Sequence, residues 1–176
     1  MRIAGIGSRA LNGARLDICR RLGAFIATCG GEIHTGNAGG ADQAFARGGN
    51  SVDPKLVHLH LPWPNFEARA IAPGNVIHLP QEQSGYAKTA AEYHPAWKHL
   101  SQGARKLHTR NVSIVCWPTM KDMVLAFPSN RKGGGGTGQG MRVAEGYDVP
   151  VIDLNGMTDE QLYTLCELIR NTGRTA

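Results

Sequence analysis

Two hydrophobic rhythms alternate along this chain, short apolar runs and longer stretches with three- and four-residue steps. Residues 2–6 form a compact, mostly apolar run ending in Gly5-Ile6-Gly7-Ser8-Arg9, which predicts a buried strand leading into a tight turn. Asn12 is a good N-cap residue. Beyond it Ile18, Leu22, Phe25, Ile26 and Cys29 line up on one helical face, so a helix is expected to about Cys29. Gly30-Gly31 stops it. Residues 32–35 supply a second strand, and Gly36-Asn37-Ala38-Gly39-Gly40-Ala41-Asp42 opens a second helix. A third strand is expected over 56–61. Residues 62–85 are irregular and rich in Pro, Gly and Asn, with a short strand at 76–79. An insertion of that kind suits a ligand lid or an oligomer contact.

Helical pattern returns over 86–100, interrupted at Pro95, and again over 104–114. Residues 123–127 read as a buried strand feeding a third glycine loop, 133–140. A helix to about Tyr147, a strand over 149–153 and a last helix from Thr158 complete the chain. Thr158 and Gln161 have capping-box spacing, and Leu162, Leu165, Cys166 and Ile169 share one side. There is no internal repeat. Strands alternating with helices predict an α/β fold: a single Rossmann-like domain over 1–176, with a mostly parallel sheet and helices on both faces. Ligands of such sheets bind beyond the carboxyl ends of the strands, where all three glycine loops would converge.

Composition narrows the chemistry. At 176 residues, with 41% apolar and 19% charged side chains, the chain is ordinary for one globular domain. Glycine, at 23 residues, is high and clustered, as phosphate loops require. The net charge of +5 favours an anionic partner. The four cysteines are scattered, which argues against a zinc ribbon or a disulfide framework. No apolar run spans a membrane and the N-terminus has no signal-peptide layout, so a cytoplasmic protein without a membrane partner is expected.

In the first loop, Gly7 lets a ligand approach the backbone, and Ser8 or Arg9 can hold an anion. The loop lacks a full GxGxxG, and no GxxxxGK[ST] occurs, so neither ordinary NAD binding nor a P-loop is supported and no cofactor is expected. In the second loop Gly36, Asn37 and Gly39 bring backbone freedom and an amide. Asp42 can accept from ribose hydroxyls or complement the helix dipole. The third loop is the most specific: Gly134, Gly135, Gly136, Thr137, Gly138 and Gln139 put several backbone N–H groups beside a helix start, a nest for phosphate. His58 and His60 alternate on one strand face as two metal ligands could, but no third ligand is evident and no metal site is expected. His94, Trp97 and His99 are candidates for stacking on a base, with packing the simpler account.

Gly5-Ile6-Gly7-Ser8, the 36–42 loop, Leu107-His108-Thr109-Arg110-Asn111 and Gly134-Gly135-Gly136-Thr137 together resemble the SLOG superfamily, in the right order over residues 2–155. That group joins the LOG-type cytokinin-activating phosphoribohydrolases, the lysine decarboxylase-like proteins and the DprA DNA-processing proteins. The chain is similar to small stand-alone DprA-like proteins often encoded by bacteriophages. The resemblance implies that Arg110, with Asn111 beside it, matches the arginine of the LOG helix motif. It also implies that Gly133, Gly134, Gly136 and Thr137 supply the GGxGT loop, and it places Gly140 where LOG enzymes carry a glutamate.

The phosphate-binding half of the family site is therefore expected, without its catalytic carboxylate. Glu145, about two helical turns past Thr137, is a poor substitute, and Glu67 and Glu92 are the carboxylates nearest the irregular region. The leading expectation is a binding module for a nucleotide or nucleotide-derived signal, sequestering or sensing it, as in phage counter-defence. The alternatives are a LOG-like N-glycosidic hydrolase or transferase and a DprA-like single-stranded DNA binder, nucleic acid being the weaker partner. A homo-oligomer is also expected.

Overall fold

The computed structural model describes residues 1–79, 85–129 and 134–173. Gly133, part of the expected third loop, and residues 80–84 of the irregular stretch lie outside them. Among the described residues six parallel strands form one sheet. They are β1 (Arg2–Gly7), β2 (Glu32–Thr35), β3 (Val57–His60), β4 (Val76–His78), β5 (Met123–Phe127) and β6 (Val151–Asp153), in the order β4-β3-β2-β1-β5-β6. Helices α1 (Gly13–Thr28), α2 (Ala41–Asn50) and α6 (Asp159–Gly173) pack on one face; α3 (Tyr86–Glu92), α4 (Gln102–Cys116) and α5 (Gly135–Gly146) pack on the other.

The strand rhythm explains the two cores. Ile3, Ile33, Leu59, Leu125 and Phe127 point towards Leu22, Ile26, Phe45 and Ile169. Their neighbours Ala4, Ile6, Val124 and Ala126 meet Val112, Val115 and Val143 on the opposite face. The helix ends follow their caps. Asn12 accepts from the Arg15 amide at 3.2 Å, and Thr158 and Gln161 exchange bonds of 2.8 and 3.3 Å. No helix among the described residues is long and apolar enough to cross a membrane.

Two expectations are corrected. The helix expected over 86–100 ends at Glu92, and a separate 3-10 turn covers Trp97–His99. The third glycine loop was expected to precede its helix, yet α5 begins at Gly135, so Gly136 and Gly138 lie in its first turn. Glycine's low helix propensity hides that start in the sequence.

The pairing of β2, β3 and β4 gathers four histidines on the α4 face. His34 is in register with His58, and His60 with His78. The expected pair His58 and His60 is thus joined by His34 and His78 from the neighbouring strands. Burial pushes His34 down to about 3 and His58 to about 4, from the usual 6.5, and lowers His60 well below it. These rings are neutral when folded and take protons when unfolded, so the stability they lend is full above 6.5 and lost as pH falls towards 4. Thermal unfolding should show a flat Tm above pH 7 and a steep fall between pH 6.5 and 4; a flat profile down to pH 4.5 would contradict buried neutral rings.

Candidate functional site

The central strand β1 is flanked by β2 and β5, so the chain crosses over in opposite directions on its two sides. That is the switch point at which parallel sheets open a crevice. At its carboxyl end Ser8 N donates to Phe127 O at 2.8 Å, tying the first loop to β5. A cavity of about 350 Å³ lies there. Gly7, Ser8 and Arg9 form one wall, Ala38 and Asp42 a second, and Arg110 and Asn111 of α4 a third. Gly134, Gly135, Gly136 and Thr137 close it with the N-terminus of α5. The first intrahelical bond there runs from Gly138 N to Gly134 O, so the amides of Gly135, Gly136 and Thr137 precede the ladder and carry the positive end of the helix dipole.

The most unusual group in the cavity is Arg110. Its residue is 4% exposed, yet Nε and Nη1 have no hydrogen-bond partner. Nη1 is 3.6 Å from Asp42 Oδ2, close enough for charge attraction but too long for a hydrogen bond. The guanidinium lies over the Phe66 ring, 5.8 Å from its centre. Burial works against both charges, pushing the Asp42 carboxyl up and Arg110 down; Arg110 and the amides of Ala38 and Gly7 pull Asp42 back. A guanidinium stays protonated here, so Arg110, one of the residues that line the cavity, is a buried positive charge with two N–H groups that have no hydrogen-bond partner.

Five expected site residues do not line this cavity. Gly36 leaves room for Arg110, since a Cβ there would lie 1.2 Å from Nη1. Asn37, buried and left-handed at φ 59°, donates through Nδ2 to Phe66 O at 3.0 Å and Glu67 O at 3.2 Å. It therefore holds the irregular stretch that places Phe66 against Arg110. Gly39 also stands outside the lining, as does Gly138. Gln139 is fully buried; its amide oxygen accepts from Asn111 Nδ2 at 3.1 Å and its nitrogen donates to Ala90 O, joining α3, α4 and α5. The remaining ten come together.

Sequence reading missed Leu107, His108, Ile114 and Ser129 as lining residues. His108 carries the most chemistry. Its Nδ1 is 2.8 Å from the Gln139 amide oxygen, an acceptor, so Nδ1 bears the proton and Nε2 is an acceptor. Burial lowers its pKa, which keeps the ring neutral. The helical spacing of His108 to Asn111 was a usable signal, because residues three apart share a face. Gly140 lines the cavity too, and Asp42 is its one carboxylate among the described residues. Glu92 and Glu145 are exposed, and Glu67 borders a different surface depression.

No family model matches this chain, and no curated protein matches it. Among solved structures it superposes on DNA processing protein A from Helicobacter pylori, described for a unique single-stranded DNA binding mode. The TM-score is 0.62 over 99% of this chain and 79% of that one, at 16% sequence identity. This chain shares that protein's fold. The likeness supports the DprA part of the motif resemblance at the level of architecture.

Proposed function

We propose that this protein binds a nucleotide-type ligand at the carboxyl edge of its sheet. The phosphate would rest on the N-terminus of α5 and against Arg110. The observation that carries this reading is Arg110 itself: a buried cation, two of whose N–H groups have no hydrogen-bond partner, lining a cavity with a single carboxylate among its described residues. Charge-assisted donors arranged in this way suit a phosphate or carboxylate, and guanidinium geometry favours bidentate contact. His108 Nε2 offers an acceptor to a base N–H or a ribose hydroxyl. A cavity of about 350 Å³ sits at the small end of ligand sites, which fits one mononucleotide unit better than a dinucleotide.

The second reading is single-stranded DNA, favoured by the structural neighbour and by the net charge of +5. Exposed Arg9 lines the cavity, and exposed Arg105 and Lys106 lie on α4, which forms one of its walls. Stacking platforms are the usual companions of strand binding; among the described lining residues His108 is the one ring. A labelled oligonucleotide competed with nucleoside monophosphates separates the two. Displacement by monophosphate, with binding insensitive to strand length, supports the small-ligand reading. Affinity that grows with strand length and falls steeply with salt supports the strand.

Binding without turnover is the expected behaviour. Cleavage of an N-glycosidic bond develops positive charge at the sugar, which a fixed nearby anion stabilises. Gly140 offers none, and Asp42 is committed to Arg110. Incubation with AMP and related monophosphates should release no free base by chromatography. Steady release that disappears in Arg110→Ala would make the protein an N-glycosidic hydrolase or transferase instead.

A further inference from the structure

Glu32 and the histidines of this face do not line the carboxyl-edge cavity; Glu32 opens β2, and His34 and His58 follow on β2 and β3. Glu32 Oε2 is 3.2 Å from His34 Nε2 and 3.9 Å from His58 Nε2. The three ligand atoms all lie within 4.8 Å of one another. The His34 and His58 rings are stacked with centres 4.4 Å apart. Ligand atoms around a tetrahedral zinc ion stand roughly 3.3–3.5 Å apart, given bonds of about 2.0–2.2 Å. The two Glu32 separations, 3.2 and 3.9 Å, bracket that range, and the ligand atoms of the His34–His58 pair lie within 4.8 Å.

The hydrogen bonds behind these atoms have a polarity. Ser113 Oγ has one proton, lies 2.8 Å from the Arg110 carbonyl and 3.0 Å from His60 Nδ1. If the hydroxyl donates to the carbonyl, His60 Nδ1 must donate to Oγ, and His60 Nε2 becomes an acceptor. His34 Nδ1, 3.0 Å away, must then donate to it, which leaves a lone pair on His34 Nε2 facing the Glu32 carboxylate. If His58 Nδ1 likewise donates to His78 Nε2, 3.0 Å away, its own Nε2 lone pair turns towards Glu32. Two lone pairs and a carboxylate oxygen converge. A cation between them lets every contact in both chains hold at once, with each ligating ring donating its other N–H to a partner as metal-bound histidines do.

We propose that Glu32, His34 and His58 bind a divalent first-row transition ion, with His60, Ser113 and His78 as the partners that orient the two rings. Two imidazoles and a carboxylate suit zinc, iron(II) or cobalt(II) over calcium or magnesium. Entry is from the Glu32 side, where that carboxylate is 32% exposed and His58 14%. Arg2 Nε is 3.2 Å from the same Glu32 oxygen, but its side chain is 45% exposed and can swing aside into water. Lys121, the other nearby cation, is engaged with the carbonyls of Trp117 and Thr119.

The test is zinc titration of chelator-stripped protein against a chromophoric competitor, with cobalt(II) substitution as a second readout. One-to-one binding is expected, with a cobalt visible spectrum intense enough for four or five ligands rather than six. Glu32→Gln, nearly isosteric and at the exposed end, should weaken zinc at least 100-fold, as should His58→Ala. Ser113→Ala should weaken it about 10-fold through ring orientation. Circular dichroism checks that each variant is folded. Absence of saturable one-to-one binding, or equal affinity in folded Glu32→Gln and His58→Ala, would overturn the site, because the cysteines or other histidines would then account for any zinc taken up.

Discussion

Gly36→Ala is expected to abolish nucleotide binding and to lower Tm by roughly 6–20 °C. Gly36 has an ordinary backbone conformation, so alanine brings no dihedral strain. The difficulty is space: the new Cβ would lie 1.2 Å from Arg110 Nη1, 2.3 Å from its Cζ and 2.7 Å from Asp42 Oδ2. The guanidinium would have to leave its slot over Phe66. Asp42, buried, would then lose its charge partner, and breaking a buried pair on one side typically costs about 3–5 kcal/mol. For a chain of this size each kcal/mol shifts Tm by about 2–4 °C. Differential scanning calorimetry and a nucleotide titration check both halves. Unchanged Tm and unchanged affinity would mean that Arg110 does not occupy this slot.

Arg110→Ala is expected to weaken nucleotide binding roughly 10- to 150-fold, since a charge-assisted hydrogen bond contributes about 1.5–3 kcal/mol. Arg110→Lys should recover little, because an ammonium cannot reproduce a two-pronged contact from the same slot. A stability loss accompanies Arg110→Ala, again through the stranded Asp42, and the two effects can be separated. In the double variant Arg110→Met with Asp42→Leu both buried charges are gone. Its stability should return towards that of the parent while binding stays lost. Recovery of binding along with stability would make Arg110 a purely structural residue.

Much of the architecture was legible in the residues. The strands stood out because a sheet covered on both faces needs apolar runs such as 123–127, and β5 is found at Met123–Phe127. Asn12 and the Thr158–Gln161 pair marked helix starts by their own hydrogen-bonding chemistry. The three glycine loops also reach one sheet edge, which follows once the strands are parallel.

What escaped depends on contacts between distant parts of the chain. Gly36 was read as backbone freedom for a ligand, whereas it leaves a socket for a side chain 74 positions away. Gln139, in a glycine-rich setting, looked like a loop residue but is a buried tie among three helices. The histidine face needed the register of β2 against β3 and β3 against β4, and nothing local to His34 or His78 encodes it. Asn37 is the middle case: its left-handed conformation is typical of asparagine, yet its partners, the Phe66 and Glu67 carbonyls, lie 29 and 30 residues away.

The central claim is that phosphate of a nucleotide-type ligand meets Arg110 in the carboxyl-edge cavity. Its most direct test is calorimetric titration of the parent protein and of folded Arg110→Ala with a panel of nucleoside monophosphates, each paired with its unphosphorylated nucleoside. Saturable one-to-one binding of at least one monophosphate is expected, weakened at least tenfold by loss of either the phosphate or Arg110, and by no more when both are lost together. Equal affinity for nucleoside and monophosphate in the parent protein, or indifference of the monophosphate to Arg110→Ala, would contradict it.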